Sequence, residues 1–209
     1  MLARARHPDR TRVSVLGSED NNFFTDGGKE LFDCAGQGRI DAFFLGGAQI
    51  DGQANINLVS VGDPDKPKVR FPGSFGSSYM YFTVPRVILF RLEHTPRTLV
   101  EKVDFISAPG TSEPNVYRPG GPYALITDRC LFHFDREKGR FSLASVHPGH
   151  TVEEIREQTG FAYDEPVDVP ETRLPDAKTL ETIRGPVAAQ IAEIYPGFAA
   201  EVFGIEKAA

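Results

Sequence analysis

The sequence contains no tryptophan, two cysteines and two methionines among its 209 residues. Neither Cys34 nor Cys130 has a CxxC partner or a metal-ligand spacing, so both read as small buried hydrophobes rather than as a redox pair or a metal site. Basic residues are also short. Lys and Arg number 23 against 29 Asp and Glu, for a net charge of −6, and no arginine-lysine stripe with interleaved aromatics occurs; a nucleic-acid footprint is excluded. No run approaches the roughly 18 apolar residues of a membrane span. The opening MLARARHPD lacks the apolar core of a signal peptide, which makes a cytoplasmic location the default. Repeats and low-complexity tracts are missing too.

What remains is an ordinary globular composition, 40% hydrophobic and 25% charged, with a length suited to a single α/β domain over residues 1–209. The opening LARAR reads as the last turn of a helix, so either an element has been lost or the natural start lies upstream. Residues 11–16 (TRVSVL) are apolar and β-branched and predict a buried strand. Leu31, Phe32 and Ala35 have helical spacing within residues 29–37, and residues 40–45 (IDAFFL) predict a second strand. This strand, helix, strand order implies a parallel sheet.

Further strands are predicted at residues 55–61, 86–92 and 99–106. Residues 123–127, 131–135 and 140–146 predict three antiparallel strands, with DREKG as the last turn. Thr151 and Glu154 form the pattern of a capping box at the start of a helix ending near Gly160. Residues 161–175 form a proline-punctuated arm, and an amphipathic helix over residues 176–194 is expected to divide at Gly185-Pro186.

The chemistry-bearing stretch is FFLGGAQIDGQANINLVSVGD, residues 43–63. A glycine pair directly after a strand lets the backbone approach a ligand at the carboxyl edge of a sheet, where open α/β folds bind ligands. Gln49 both donates and accepts, so it suits an acyl carbonyl or an amide. Gln49, Asp51 and Asn55 equally suit the satisfaction of loop backbone groups, as Asn and Asp commonly do. The loop FPGSFGSS, residues 71–78, fits either a surface turn or a ligand loop. His147 and His150 in HPGH have no third ligand nearby and read as a turn leading into the helix, His94 reads as a structural hydrogen-bonding residue, and no metal site is expected. The nucleophile elbow of a serine hydrolase is missing.

GGAQIDGQANINLVSVGD with KPKVRFPGS after it resembles the signature of the small (B, or beta) subunit of glutaconate-type class I CoA-transferases. Three more segments agree in order: HTPRTLVEKVDFISAPG, SLASVHPGHT, and VEEIREQTGF with VPETRLP. The resemblance implies an open, mainly parallel α/β sheet, an A-subunit partner, and an acyl-CoA and a carboxylic acid as substrates with no bound cofactor. It also implies that Gly46, Gly47, Ala48 and Gln49 wall the substrate site, with Gln49 exposed. Ala54 stands where the family motif has glycine, which implies a positive φ.

Members of this family use a B-subunit glutamate as nucleophile, in a short motif such as E-S-G after the first strand. Reading on from LARARHPD without gaps places Val15, Leu16 and Gly17 under that motif; a four-residue slip places Glu19 there. Glu19 is therefore the candidate nucleophile, against the alternative of a solvated or capping acid in a Ser-Glu-Asp-Asn-Asn turn. Three functions follow: a transferase subunit working through glutamyl-CoA, a CoA-thioester ring-opening hydrolase subunit that lacks the glutamate, or a noncatalytic subunit completing its partner's pocket.

Overall fold

The structure is a computed structural model and describes residues 1–205; positions 206–209 of the expected domain lie outside the described residues. The chain opens with α1 (Leu2–Arg6) and α2 (Lys29–Gly36), followed by β1 (Ala42–Gly46). Two short ladders come next: β2 (Gln49–Ile50) with β3 (Ile56–Asn57), and β4 (Ser60–Val61) with β5 (Val69–Arg70), both antiparallel. Then come α3 (Ser77–Thr83), β6 (Arg86–Arg91), β7 (Pro122–Thr127), β8 (Cys130–Asp135), β9 (Arg140–Val146) and α4 (Val152–Gln158). The C-terminal part holds α5 (Ala177–Thr182), a π turn (Ile183–Val187), α6 (Ala188–Ile194) and α7 (Pro196–Phe203).

These elements divide into two compact units, one of Phe32–Arg173 and one of Met1–Leu31 with the chain from Leu174 onward. The larger unit is built on a five-stranded sheet in the order β1-β6-β7-β8-β9. β1, β6 and β7 run parallel, while β7, β8 and β9 are antiparallel neighbours. The open α/β sheet is thus present, with a parallel half and an antiparallel half.

Alternation sets the core. Leu45, Val87, Leu89, Leu125, Phe132 and Phe141 share one face by register and are buried. Phe161 from the following arm stacks on Phe141, with ring centroids 5.5 Å apart. The opposite face is another matter. Phe44, Phe90, Leu92 and Ile126 fall together there and are exposed, so the apolar runs of β1 and β6 are buried on one side only.

Four expectations are corrected. Residues 11–16 form no strand: Val15 N–H bonds locally to the Asn21 carbonyl and Ser14 bonds Asn22, and β-propensity without a ladder partner does not make a strand. Residues 99–106 also form no strand; Leu99 makes a single parallel bridge to Ile50, and Leu99 and Val103 are buried from an irregular segment. Residues 55–61 split into β3 and β4, because Asn57 Oδ1 accepts from Val59 and Ser60 N–H and turns the chain between them. The C-terminal helix does not divide at Gly185-Pro186. Ala188 N–H reaches the Ile183 carbonyl in a π turn, and the widened turn accommodates a proline that has no N–H.

The α4 cap is half a capping box. Thr151 Oγ1 accepts from Glu154 N–H at 3.2 Å. The Glu154 carboxylate does not reach back to the Thr151 N–H. It binds Arg129 and, at 2.9 Å, His150 Nδ1, charge-assisted partners that outcompete a neutral amide.

Candidate active site

Gly46 ends β1 opposite Phe90 of β6, so the glycine pair lies at the carboxyl end of two parallel strands. A Cβ on Gly47 would come within 3.1 Å of both the Gln49 main-chain carbonyl and Ile50, so a side chain there would push its neighbours aside by a few tenths of an ångström. Gly46 differs: a Cβ there would meet only Phe90, at 3.8 Å, and the backbone faces an open cleft of about 370 Å³ lined by Gly46 and residues 90–93. Ala48 N–H then bonds the Asn57 carbonyl at 2.9 Å and turns the loop away from the cleft.

Gln49 is buried, not exposed as the resemblance implied. Its Oε1 accepts from Asn57 Nδ2 at 2.7 Å and from Asp104 N–H at 3.1 Å, and its Nε2 donates to Asp104 Oδ2 at 3.1 Å. Asp51 organises the next turn, taking the N–H groups of Gln53 and Asn55, both at 3.0 Å, on Oδ1, while Asn55 Nδ2 reaches Oδ2. The polar residues between β2 and β3 therefore build the loop from within. Ala54 sits at its tip with φ +59°, the left-handed conformation anticipated from the motif, and its carbonyl accepts from the buried Tyr81 hydroxyl at 2.7 Å.

Sequence reasoning missed the charged end of β6. Glu93 lines the cleft and accepts from Arg97 at 2.8 Å, from Thr95 Oγ1 at 2.9 Å and from Arg91 at 3.2 Å; these bonds, Arg97 first, hold its carboxyl below the usual range. The signal was present in the charged RLEHTPR that follows the apolar run of β6.

Other candidates resolve into structure. His94 is buried, with Nδ1 2.8 Å from Thr127 Oγ1 and Nε2 2.8 Å from Thr159 Oγ1, and burial pushes its pKa down to about 4. Cys130 lies 3.7 Å from His94 Nδ1, and burial raises its thiol to about 12, so the two are a neutral packed pair. Cys34 is half-buried. His147 bonds Thr172 Oγ1 at 2.8 Å, and Gly149 at φ +89° makes the turn leading into α4. In the loop of residues 71–78, Phe75 is exposed and takes φ +45°; its ring packs 5.3 Å from Phe32.

Glu19 belongs to the smaller unit and lies exposed in the turn of residues 18–21 after Gly17, which has φ +89°. Its backbone N–H donates to Glu193 Oε1 at 2.8 Å. The alternative position, Val15, is half-buried just before that turn.

An open α/β sheet with a glycine pair at its carboxyl edge places that loop where open α/β folds bind ligands. The family model for Coenzyme A transferase matches residues 1–158, and the chain belongs to that family. It is 40% identical to the 3-oxoadipate CoA-transferase B subunit of Pseudomonas knackmussii, over 70% of this chain and 58% of that protein. It is 34% identical to the glutaconate CoA-transferase B subunit of Acidaminococcus fermentans, over 68% of this chain and 54% of that protein. The crystal structure of glutaconate coenzyme A-transferase from Acidaminococcus fermentans superposes with a TM-score of 0.63 at 33% identity, covering 76% of this chain and 60% of that one. The chain thus spans somewhat over half the length of these curated relatives.

Proposed function

We propose that the chain is the beta-subunit portion of a heteromeric CoA-transferase that moves CoA between an acyl-CoA and a carboxylic acid. Family membership, with 40% identity to a named CoA-transferase B subunit, carries the proposal. The Glu19 carboxylate attacks the thioester carbonyl, the C–S bond breaks, and CoA leaves as thiolate from an acyl-glutamyl anhydride. The thiolate returns to the glutamyl carbonyl, giving glutamyl-CoA and releasing the first acid as carboxylate. The second acid then takes CoA by the same two steps reversed, regenerating Glu19. Gly46 forms the wall that faces the substrate, and Gly47, Ala48 and Gln49 hold it in place from behind. Gly46 offers the close approach, and Gln49 stiffens the loop from behind through Asn57 and Asp104.

No resident cofactor is needed, since the thioester itself is the activated group. The partner is an A-type subunit, and the exposed Phe44, Phe90, Leu92 and Ile126 on one sheet face support a chain that works covered by a neighbour. Among the described residues no helix is long and apolar enough to cross a membrane, and a cytoplasmic location fits a CoA-thioester substrate. The test is co-expression with the A-type subunit and an assay of acyl exchange against simple hydrolysis. Exchange that needs both chains supports the proposal; hydrolysis without exchange, or full exchange by this chain as a lone monomer, refutes it.

A further inference from the structure

Glu193, on α6, closes on the turn that carries Glu19. Its Oε1 accepts from Glu19 N–H at 2.8 Å and from Asp20 N–H at 3.2 Å. Its Oε2 accepts from Asn21 Nδ2 at 2.7 Å, and the Ser18 hydroxyl lies 2.6 and 2.7 Å from the two oxygens. Ser18 Oγ in turn accepts from Asn21 N–H at 2.7 Å, and Arg4 of α1 ties Asn21 Oδ1 at 2.6 Å to Gln190 Oε1 at 2.9 Å. Every residue of the turn is thus bound to one carboxylate, through main chain or side chain. These bonds, Ser18 first, hold the Glu193 carboxyl below its usual range.

Only a carboxylate suits this place. Its two oxygens accept the Glu19 and Asp20 N–H groups, the Asn21 side-chain amide and the Ser18 hydroxyl, whereas an amide would set its own N–H against either the two backbone N–H groups or the Asn21 Nδ2. Glu193 also lies beyond residues 1–158, the segment the family model matches. Glu19 gives its N–H to this cluster while the residue itself stands exposed.

We infer that Glu193 is the positioning residue of the nucleophile turn: it fixes the main chain at Glu19 so that the attacking carboxylate is presented in one direction. The inference rests on Glu19 as the nucleophile proposed above. A polar Ser-Glu-Asp-Asn turn without this clasp samples many conformers, and a misplacement of about 1 Å lowers turnover on the order of a hundredfold.

The test uses the full chain in complex with its A-type subunit, with 3-oxoadipyl-CoA as donor and acetate as acceptor. Glu193→Gln should slow formation of the Glu19 thioester adduct, read by mass spectrometry of the peptide of residues 11–29, and lower kcat by tenfold or more. KM should stay unchanged, the Glu19 and Asp20 amides should lose hydrogen-exchange protection, and Glu193→Asp, which keeps a carboxylate, should retain more turnover than Glu193→Gln. Asn21→Asp, which keeps an acceptor for Arg4 but sets a like charge against Glu193, should reproduce the kinetic loss should the first variant fold poorly. An adduct forming at the wild-type rate in both variants overturns the positioning role and leaves Glu19 as nucleophile. An active wild-type complex with unmodified Glu19 overturns the nucleophile assignment itself, and the positioning role with it.

Discussion

Asn57 donates its side-chain amide to Gln49 Oε1 at 2.7 Å, and the two residues are also register partners across the ladder of β2 and β3. Both are buried. The same Gln49 amide binds Asp104 at 3.1 Å, so the β2–β3 hairpin is joined to a residue 55 positions further along the chain, behind the glycine pair. The glycine loop owes its shape to this buried network, and what it presents to the cleft is the Gly46 backbone.

Gln49→Ala should therefore destabilise the protein by about 1–3 kcal/mol, because it leaves one of the two Asn57 side-chain N–H groups, the other being satisfied by the Ser60 carbonyl, and the part-buried Asp104 N–H without their acceptor. Urea denaturation measures this. A double-mutant cycle with Asn57→Ala should show a coupling of about 0.5–3 kcal/mol; additive losses would mean the two side chains act independently.

Ala54 holds φ +59° with its methyl group fully buried. Left-handed backbone strains alanine by roughly 1–2 kcal/mol, and glycine removes that strain. Glycine also gives up about 0.8 kcal/mol of methyl burial and adds unfolded-state entropy. Ala54→Gly should accordingly fall within about 0.5 kcal/mol of the parent, whereas Ala54→Val, branched at Cβ, should lose at least about 2 kcal/mol. A valine variant melting at the parent temperature would contradict the left-handed turn.

The parts of this fold legible in the sequence are those whose partners are near in the chain. The turn of residues 135–139 could be read because Asp135 itself accepts from Glu137 and Lys138 N–H, both at 3.0 Å, and so joins two alternating strands locally. Residues 11–16 and 99–106 have the same local pattern, but strand formation depends on a ladder partner that pattern cannot reveal. The amide of Gln49 was visible as a donor and acceptor; whether it served a ligand or a neighbour depended on Asp104, 55 residues away. Glu193 was unreadable for the same reason, since its contact with Ser18 spans 175 residues.

His94 makes stability depend on acid. Burial, with Arg129 adding to it, lowers its pKa from 6.5 to about 4, so the unfolded chain binds the proton more readily than the folded one. The contribution is complete above about pH 6.5 and is lost as pH falls from 6.5 through 4, amounting to about 3 kcal/mol at the end of that window. His94→Gln, which can still bond Thr127 or Thr159, should be less stable at neutral pH but should flatten the slope between pH 6.5 and 4. A variant with the parent slope in chemical-denaturation titrations would assign that slope to other groups.

Glu19 decides between exchange and hydrolysis. With Glu19 as nucleophile, incubation of the two-subunit complex with acyl-CoA produces a glutamyl-CoA thioester that borohydride reduces or hydroxylamine traps, and Glu19→Ala removes both the trapped species and exchange. With Val15 in the nucleophile's place, no covalent species forms at this turn, and oxygen from labelled water enters the product acid. The two routes separate further under competition. Raising the acceptor acid should slow any hydrolysis by the transferase, because glutamyl-CoA partitions between acid and water, but should leave an enzyme that activates water directly unchanged. Label from water in the product at saturating acceptor, together with an unmodified Glu19 peptide, would end the transferase assignment and leave a thioester hydrolase built on the same sheet.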